Sequence, residues 1–488
     1  MNYRVVTYIL GWVLNIEAGL MLLPFVVSLI YGEISKGLAF VWVALGSALV
    51  GTIFVVRKPK DTTFYLKEGF VTVALSWLMM SAVGALPFVI NGDIPRYVDA
   101  FFETVSGFTT TGASILSDVE ALSRCSLFWR SFTHWIGGMG VLVFLLAIIP
   151  MAGGTHMNLM KAESPGPSVG KIVPKVKNNA IFLYGIYIVL TIIMVLLLIA
   201  GGMSVFESLC TAFGTAGTGG FGIRNDSIMS ASPYIQWVIT VFMILFGVNF
   251  GVYFLIITGK LKDAFMHEEV RAYFAIILGA AAIMFIDLRD IISGTADAVR
   301  HIFFQIGSIM TTTGFSSVDF DLWPETSKTI LVLLMFIGAC AGSTGGGIKV
   351  ARIIILAKTF VKEIISFLHP RSVKKVKVGG KVVEHETLRA TNVYFVTFML
   401  LFVASVLLIS FEGKDMVTNF TAVSATINNI GPGLSMVGPT QNFGFFSDFS
   451  KLVLSFDMLA GRLELFPLLL LFCPSVWKPK KKTTQHKN

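Results

Sequence analysis

Apolar runs of membrane-crossing length follow one another along the whole chain, parted by short polar turns. Crossing a bilayer takes about 18–20 apolar residues. The pattern predicts spans at 3–31, 37–56, 69–91, 127–150, 179–202, 233–258, 271–292, 390–411 and 449–475, and a tenth starting near 328. Four amphipathic stretches of about half that length stand between paired spans, at 96–108, 205–216, 297–310 and 415–427. They are too short to cross, so each is expected to enter the membrane and return. The predicted class is an all-α membrane protein with ten transmembrane helices and four re-entrant helices. The alternating strands of an outer-membrane barrel are absent from the sequence. The first apolar run is longer than that of a secretory signal and lacks a small-residue cleavage site, so it is read as a retained span.

Each half-length stretch leads into a string of small residues: "FTTTGAS" at 108–114, "GTGGF" at 217–221, "MTTTGFS" at 310–316 and "NNIGP" at 428–432. The glycines Gly112, Gly220, Gly314 and Gly431 lie 108, 94 and 117 residues apart. A unit of span, short helix and span therefore recurs four times. The expected organisation is two N-terminal helices in 1–66, then repeats at 67–160, 161–265, 266–388 and 389–488, the last with a basic tail.

Composition agrees with this pattern. Of the 488 residues 55% are hydrophobic and 14% charged, and the mean hydropathy is +0.77, above the range of soluble domains. The net charge of +9 raises nucleic acid as a partner only for a soluble protein. Here Lys and Arg fall in 57–67, 151–178, 259–271, 369–389 and the tail. Alternating spans put these segments on one side, and the positive-inside rule makes that side, with both termini, cytoplasmic. Cys125, Cys210, Cys340 and Cys473 lack metal or disulfide spacing.

Non-helical backbone at membrane depth is tolerated where protein buries it or water lines it. Four copies satisfy this by meeting on one axis. Each short helix then aims its partly negative C-terminus inward, which favours a cation. Thr, Gly and Asn allow close backbone approach, and a ring of carbonyl oxygens can replace a cation's hydration shell. A helix end closed by a capping glycine would explain one copy of the string far better than four.

Three further features stand out. The apolar and amphipathic stretch 328–368 has 41 residues and holds "AGSTGGG" at 341–347, a poor helix interior. The backbone is expected to open there; a kinked cytoplasmic extension is the alternative. Arg462 lies deep in the last span, where an ionisable group needs a partner or water. Facing the pore against carbonyls of the 341–347 segment is one reading, and pairing with Asp457 or Glu464 is the other. Asp99 and Glu207 each stand 13 residues before their glycine, placed to cap the short helices or to attract cations at the mouth. His134 and Trp135 precede "GGMG", a close helix contact, and Glu17 is expected to face a neighbouring helix.

The strings "SGFTTTGAS", "GTAGTGGFG", "MTTTGFSS", "NNIGPG", "THMNLMKAESPGP", "GACAGSTGGGIKVAR" and "MLAGRLELFP" together resemble the Trk-type potassium uptake proteins, in the TrkH branch of the superfamily that includes Ktr and plant HKT transporters. The resemblance covers nearly the whole chain. It implies four span–pore helix–span repeats around one pore, a homodimer in the inner membrane, and a cytoplasmic nucleotide-binding ring protein of the TrkA type as regulatory partner. It implies a potassium filter of Thr109, Thr110, Thr111 and Gly112; Gly217, Thr218, Gly219 and Gly220; Thr311, Thr312, Thr313 and Gly314; and Asn428, Asn429, Ile430 and Gly431. In the family a serine at the first of these glycines is associated with sodium transport; this chain has Gly112. The resemblance makes Ala341, Gly342, Ser343, Thr344, Gly345, Gly346 and Gly347 an intramembrane gate loop, with Lys349 and Arg462 beside it.

The implied activity is potassium uptake, with the ion as substrate, no cofactor in this chain, the bilayer as its medium and no nucleic-acid partner. A sodium- or proton-coupled symporter on the same fold is the alternative. An intramembrane enzyme is a distant one, since HExxH is missing and "HEE" at 267–269 and "HETLR" at 385–389 fall in loops.

Overall fold

The computed structural model describes residues 1–56, 58–59, 64–140, 176–292, 294–371 and 374–477. Among these, six helices are long and apolar enough to cross a membrane: Tyr3–Ile30, Ile34–Val56, Leu66–Ile90, Phe182–Ala200, Glu268–Leu288 and His385–Ser410. Their outward faces carry exposed side chains such as Trp42, Leu49, Leu196, Ile283 and Leu400, as a lipid-facing surface requires. A two-stranded hairpin pairs Lys377 with Val382 and Val378 with Lys381.

The N-terminal pair crosses on small residues. A Cβ at Gly11 would lie 2.7 Å from the Gly51 carbonyl, and one at Gly37 would lie 1.8 Å from Ser28 Oγ. Close backbone approach of this kind drives helix association where apolar burial against lipid gives no advantage. The pair docks on the next span at both ends: the Asn2 N–H donates to Glu68 Oε1 at 3.3 Å, and Glu17 Oε1 lies beside Gly84. Glu17 is 3% exposed.

The half-length stretches form the helices Tyr97–Phe108, Val205–Ala216, Thr295–Met310 and Met416–Ile427. Local chemistry starts two of them. Ser204 and Glu207 form a reciprocal capping box, and Asp415 Oδ2 accepts the Thr418 N–H at 2.9 Å. All four run into the centre of the molecule, where Phe102, Val105, Ala212, Ala216, Phe304, Ile306, Ala422 and Ile427 are buried.

The spans that follow the short helices differ from expectation. The span predicted at 233–258 is two helices, Pro233–Phe246 and Phe250–Ile257, bent by 91°. The span predicted at 449–475 gives a helix Asp448–Arg462 and a short one at Phe466–Leu470, parted by Glu464 and Leu465 at φ 56° and 68°. The third unit breaks into Glu325–Ile337 and Val350–Leu368 around residues 338–349. In the first unit the helix runs Arg124–Gly138, and residues 141–150 of the predicted span, with "THMNLMKAESPGP", lie outside the described residues. Glycines of these helices lie close against the ends of the short helices. A Cβ at Gly247 would stand 2.8 Å from Thr311 Cγ2, one at Gly461 would stand 2.0 Å from the Ile427 carbonyl, and one at Gly137 would stand 1.9 Å from the Phe108 carbonyl. Apolar periodicity carries no trace of these contacts.

Candidate functional site

Each short helix ends in the same turn. Thr110, Thr218, Thr312 and Asn429 adopt left-handed φ of 55°, 53°, 60° and 57°, and the glycine two residues on, Gly112, Gly220, Gly314 or Gly431, adopts 80°, 76°, 85° or 98°. The N–H of each left-handed residue and of its successor bonds back to the helix: Thr110 to Gly107 O and Thr111 to Ser106 O, and likewise Thr218 to Thr215 O, Gly219 to Gly214 O, Thr312 to Ile309 O, Thr313 to Ser308 O, Asn429 to Thr426 O and Ile430 to Ala425 O, all at 2.8–3.1 Å. This is the Schellman pattern. It takes up two N–H donors of each string. A β-branched residue is strained in the left-handed region, and three threonines stay there because the turn around them is fully bonded.

The four turns close a ring. A Cβ on Gly112 would lie 2.0 Å from Gly219 O, one on Gly220 1.9 Å from Thr313 O, one on Gly314 2.0 Å from Ile430 O, and one on Gly431 2.8 Å from Thr111 O. Each glycine thus touches the carbonyl that precedes the glycine of the next quarter, and the fourth quarter returns to the first. No residue with a side chain fits at the first three. Side chains stitch the strings from behind. Thr109 Oγ1 and Thr111 Oγ1 are 2.8 Å apart, Thr311 Oγ1 and Thr313 Oγ1 are 2.7 Å apart, and Asn429 Nδ2 donates to Thr111 Oγ1 at 3.0 Å across the quarters.

The segment 338–349 lies directly against this ring. The Gly346 N–H donates to Thr312 Oγ1 at 2.6 Å, and the Gly347 N–H donates to Asn428 O at 3.1 Å. A Cβ on Gly345 would meet Thr311 O at 2.8 Å. The segment is anchored at its base, where the Ala341 N–H donates to Glu269 Oε1 at 2.5 Å and the Phe250 N–H donates to Gly342 O at 3.0 Å. Lys349, at φ 83° and 3% exposed, donates to Gly345 O. Arg462 donates to Thr344 O at 2.8 Å, Gly137 O at 2.5 Å and Gly138 O at 2.9 Å. Of the carboxylates proposed as its partners, Glu464 pairs with Arg352 and Asp457 Oδ1 accepts from Ser405 at 2.7 Å.

Sequence reasoning missed the support between the first and second quarters. Arg130 Nε donates to Glu103 Oε1 at 2.5 Å, with both side chains buried. The other Glu103 oxygen accepts the Ile115 N–H at 3.0 Å, and Arg130 Nη1 donates to Gly222 O at 2.7 Å. One buried ion pair thereby fixes the chain just beyond both Gly112 and Gly220. The available signal was an arginine inside an apolar predicted span, which demands a partner.

At the mouth Glu207 serves as expected in its capping box, and it also takes a 2.7 Å ion pair from Arg224. Asp99, however, makes no side-chain cap; its carboxylate takes Lys451 Nζ at 2.6 Å. The Arg224 hydrogen bond holds the Glu207 carboxyl below its ordinary range, and Asn225 does the same for Asp118. Both carboxylates are thereby favoured in their ionised form, and Arg224 offsets the charge of Glu207.

A bundle of membrane-crossing helices around a closed ring of backbone carbonyls defines a membrane protein built to handle a small cation. The comparisons place it more closely. The TrkH family model, described as "Cation transport protein", matches residues 37–481. The chain is 36% identical over 486 residues to the Trk system potassium uptake protein TrkH of Salmonella typhimurium, covering 98% of this chain and 100% of the relative. It is 36% identical over 489 residues to the protein of that name in Escherichia coli, with the same coverage. The crystal structure of the potassium transporter TrkH from Vibrio parahaemolyticus superposes with a TM-score of 0.87 at 33% identity, covering 98% of this chain and 100% of that one. The chain belongs to the TrkH family of cation transport proteins, a family of transporters and not of enzymes.

Proposed function

We propose that the protein carries potassium into the cell across the cytoplasmic membrane, through a filter formed by the four TTTG-like strings. The observation that carries this reading is the ring itself: four strings about 100 residues apart share one backbone turn, and each glycine meets the next quarter's carbonyl. Carbonyl and hydroxyl oxygens offset the loss of hydration water, and a cation that fits the ring sheds that water at least cost.

The finer architecture belongs to the same proposal. It has ten spans and four pore helices, four repeats with the boundaries given above, and both termini cytoplasmic. Residues 341–347 act as the gate below the filter, held shut by Arg462 and Lys349. The chain works as a homodimer under a TrkA-type ring subunit that binds the nucleotide. The bonds from Gly346 and Gly347 to filter residues support the gate assignment, because a segment docked on the strings stands in the path of an ion leaving them.

Purified protein in liposomes tests the reading. Potassium flux above that of empty liposomes, in preference to sodium, is expected; its absence from folded protein refutes the proposal. Flux against a potassium gradient, driven by sodium or protons, would establish the symporter.

A further inference from the structure

The second filter string departs from the others, and the structure supplies the reason. Thr111, Thr313 and Ile430, the residues before the glycine in three quarters, bring β-branched side chains that are fully buried behind the turn. The second quarter has Gly219. Its φ is not in the left-handed region, so its backbone admits a side chain. The space is taken: a Cβ on Gly219 would lie 2.3 Å from both Cγ and Nδ1 of His134 and 2.6 Å from its Cε1. Gly217 is likewise closed to a side chain, its Cβ position lying 2.2 Å from the His134 carbonyl.

The imidazole does more than fill space. The Phe221 N–H, next after the filter glycine, donates to Nε2 at 3.2 Å. Nε2 therefore carries no proton, and Nδ1–H donates to Gly107 O at 2.8 Å, at the end of the first short helix. The ring also packs on Phe221 with centroids 4.2 Å apart. One fully buried side chain thus joins the first quarter's helix end to the second quarter's string.

We propose that His134 is a positioning residue for ion discrimination, supplying from a neighbouring helix the support that the second string gives up at Gly219. The inference rests on the transport reading and adds a specificity determinant to it. Its imidazole fixes the distance between two quarters of the ring, and that distance sets how well potassium is told from sodium.

The test measures potassium and sodium flux by the full-length protein in liposomes, with thermal unfolding as a check on folding. His134→Ala removes the ring, leaves the buried Phe221 N–H without its acceptor and takes from Gly107 O one of its two donors. It is expected to lower the potassium-to-sodium flux ratio roughly tenfold while sodium flux persists, an outcome that general loosening of the fold does not give. Gly219→Thr is expected to lower the ratio when His134 is present, because the two side chains collide. Combined with His134→Ala, the same substitution is expected to raise the ratio above that of His134→Ala alone. A folded His134→Ala protein with the wild-type ratio overturns the inference. If that variant does not fold, Gly219→Ala decides: its Cβ displaces the ring, so a wild-type ratio overturns the inference and a lowered one supports it. Wild-type protein with no preference for potassium defeats the transport reading and this inference with it. Unchanged ratios in folded variants defeat the inference alone.

Discussion

Removing Arg462 should open the pathway, and the structure sets the size of the effect. The guanidinium donates to Thr344 O at 2.8 Å, binding the last span to the segment below the filter. A hydrogen bond from a charged donor contributes about 1.5–3 kcal/mol. Losing it shifts the docked–undocked equilibrium of the segment by roughly 10- to 150-fold. Other bonds to the ring remain, from Gly346 to Thr312 and from Gly347 to Asn428, so Arg462→Ala should raise potassium flux without abolishing closure. Deleting Ser343–Gly346 takes away both Thr344 O and the Gly346 N–H, and should raise flux further. With the acceptor gone, Arg462→Ala has nothing left to release from the segment. The two changes should therefore be non-additive by about the same 1.5–3 kcal/mol. The assay is flux per folded protein in liposomes for both single variants and their combination. Arg462 also holds Gly137 O and Gly138 O, so unfolding temperature is recorded alongside. Lower flux in both well-folded single variants, or full additivity, refutes the gate.

Other outcomes follow from the same geometry. Gly112→Ser places a Cβ 2.0 Å from Gly219 O, so that carbonyl must move and the potassium-to-sodium ratio should fall about tenfold or more; an unchanged ratio counts against the filter. Thr312→Val removes the acceptor of the Gly346 N–H and should raise flux by a few fold, the scale of one neutral hydrogen bond at about 1 kcal/mol; unchanged flux argues that this contact does not hold the segment. Glu207 is depressed chiefly by its hydrogen bond from Arg224. It therefore contributes stability above its ordinary value of 4.5 that is lost as pH falls through the lower folded value. A thermal-unfolding series in acid should be flatter for Arg224→Gln than for wild type. Purified protein alone should bind neither ATP nor NAD at physiological concentration, as the chain has no GxxxxGK[ST]; calorimetric binding by this chain would place the nucleotide site here.

Much of this protein was written in the order of its residues. Long apolar runs demand helices in a bilayer, because no other open structure satisfies backbone polar groups in lipid. The recurrence of small polar strings after half-length helices located the four turns to the residue. Thr110 and Thr312 could be named from sequence because glycine and threonine at one spacing, four times over, have few other uses. Periodicity carried no sign of the breaks at 247–249 and 463–465, nor of the close approach of Thr311 to Gly247 and of Ile427 to Gly461 from elsewhere in the chain. Arg462 against a carbonyl of 341–347 was one of the two readings open from sequence, and its bond to Thr344 O agrees with it; that Arg462 also reaches Gly137, or that Glu103 and Arg130 meet, was not legible. The second string, GTGGF, departs from TTTG for a reason of the same kind. Gly219 is unexplained in one dimension and follows in three from the imidazole of His134. Sequence determines what can be satisfied locally, by caps, turns and runs. Which side chain fills the space behind a turn depends on helices far apart in the chain, and only packing decides it.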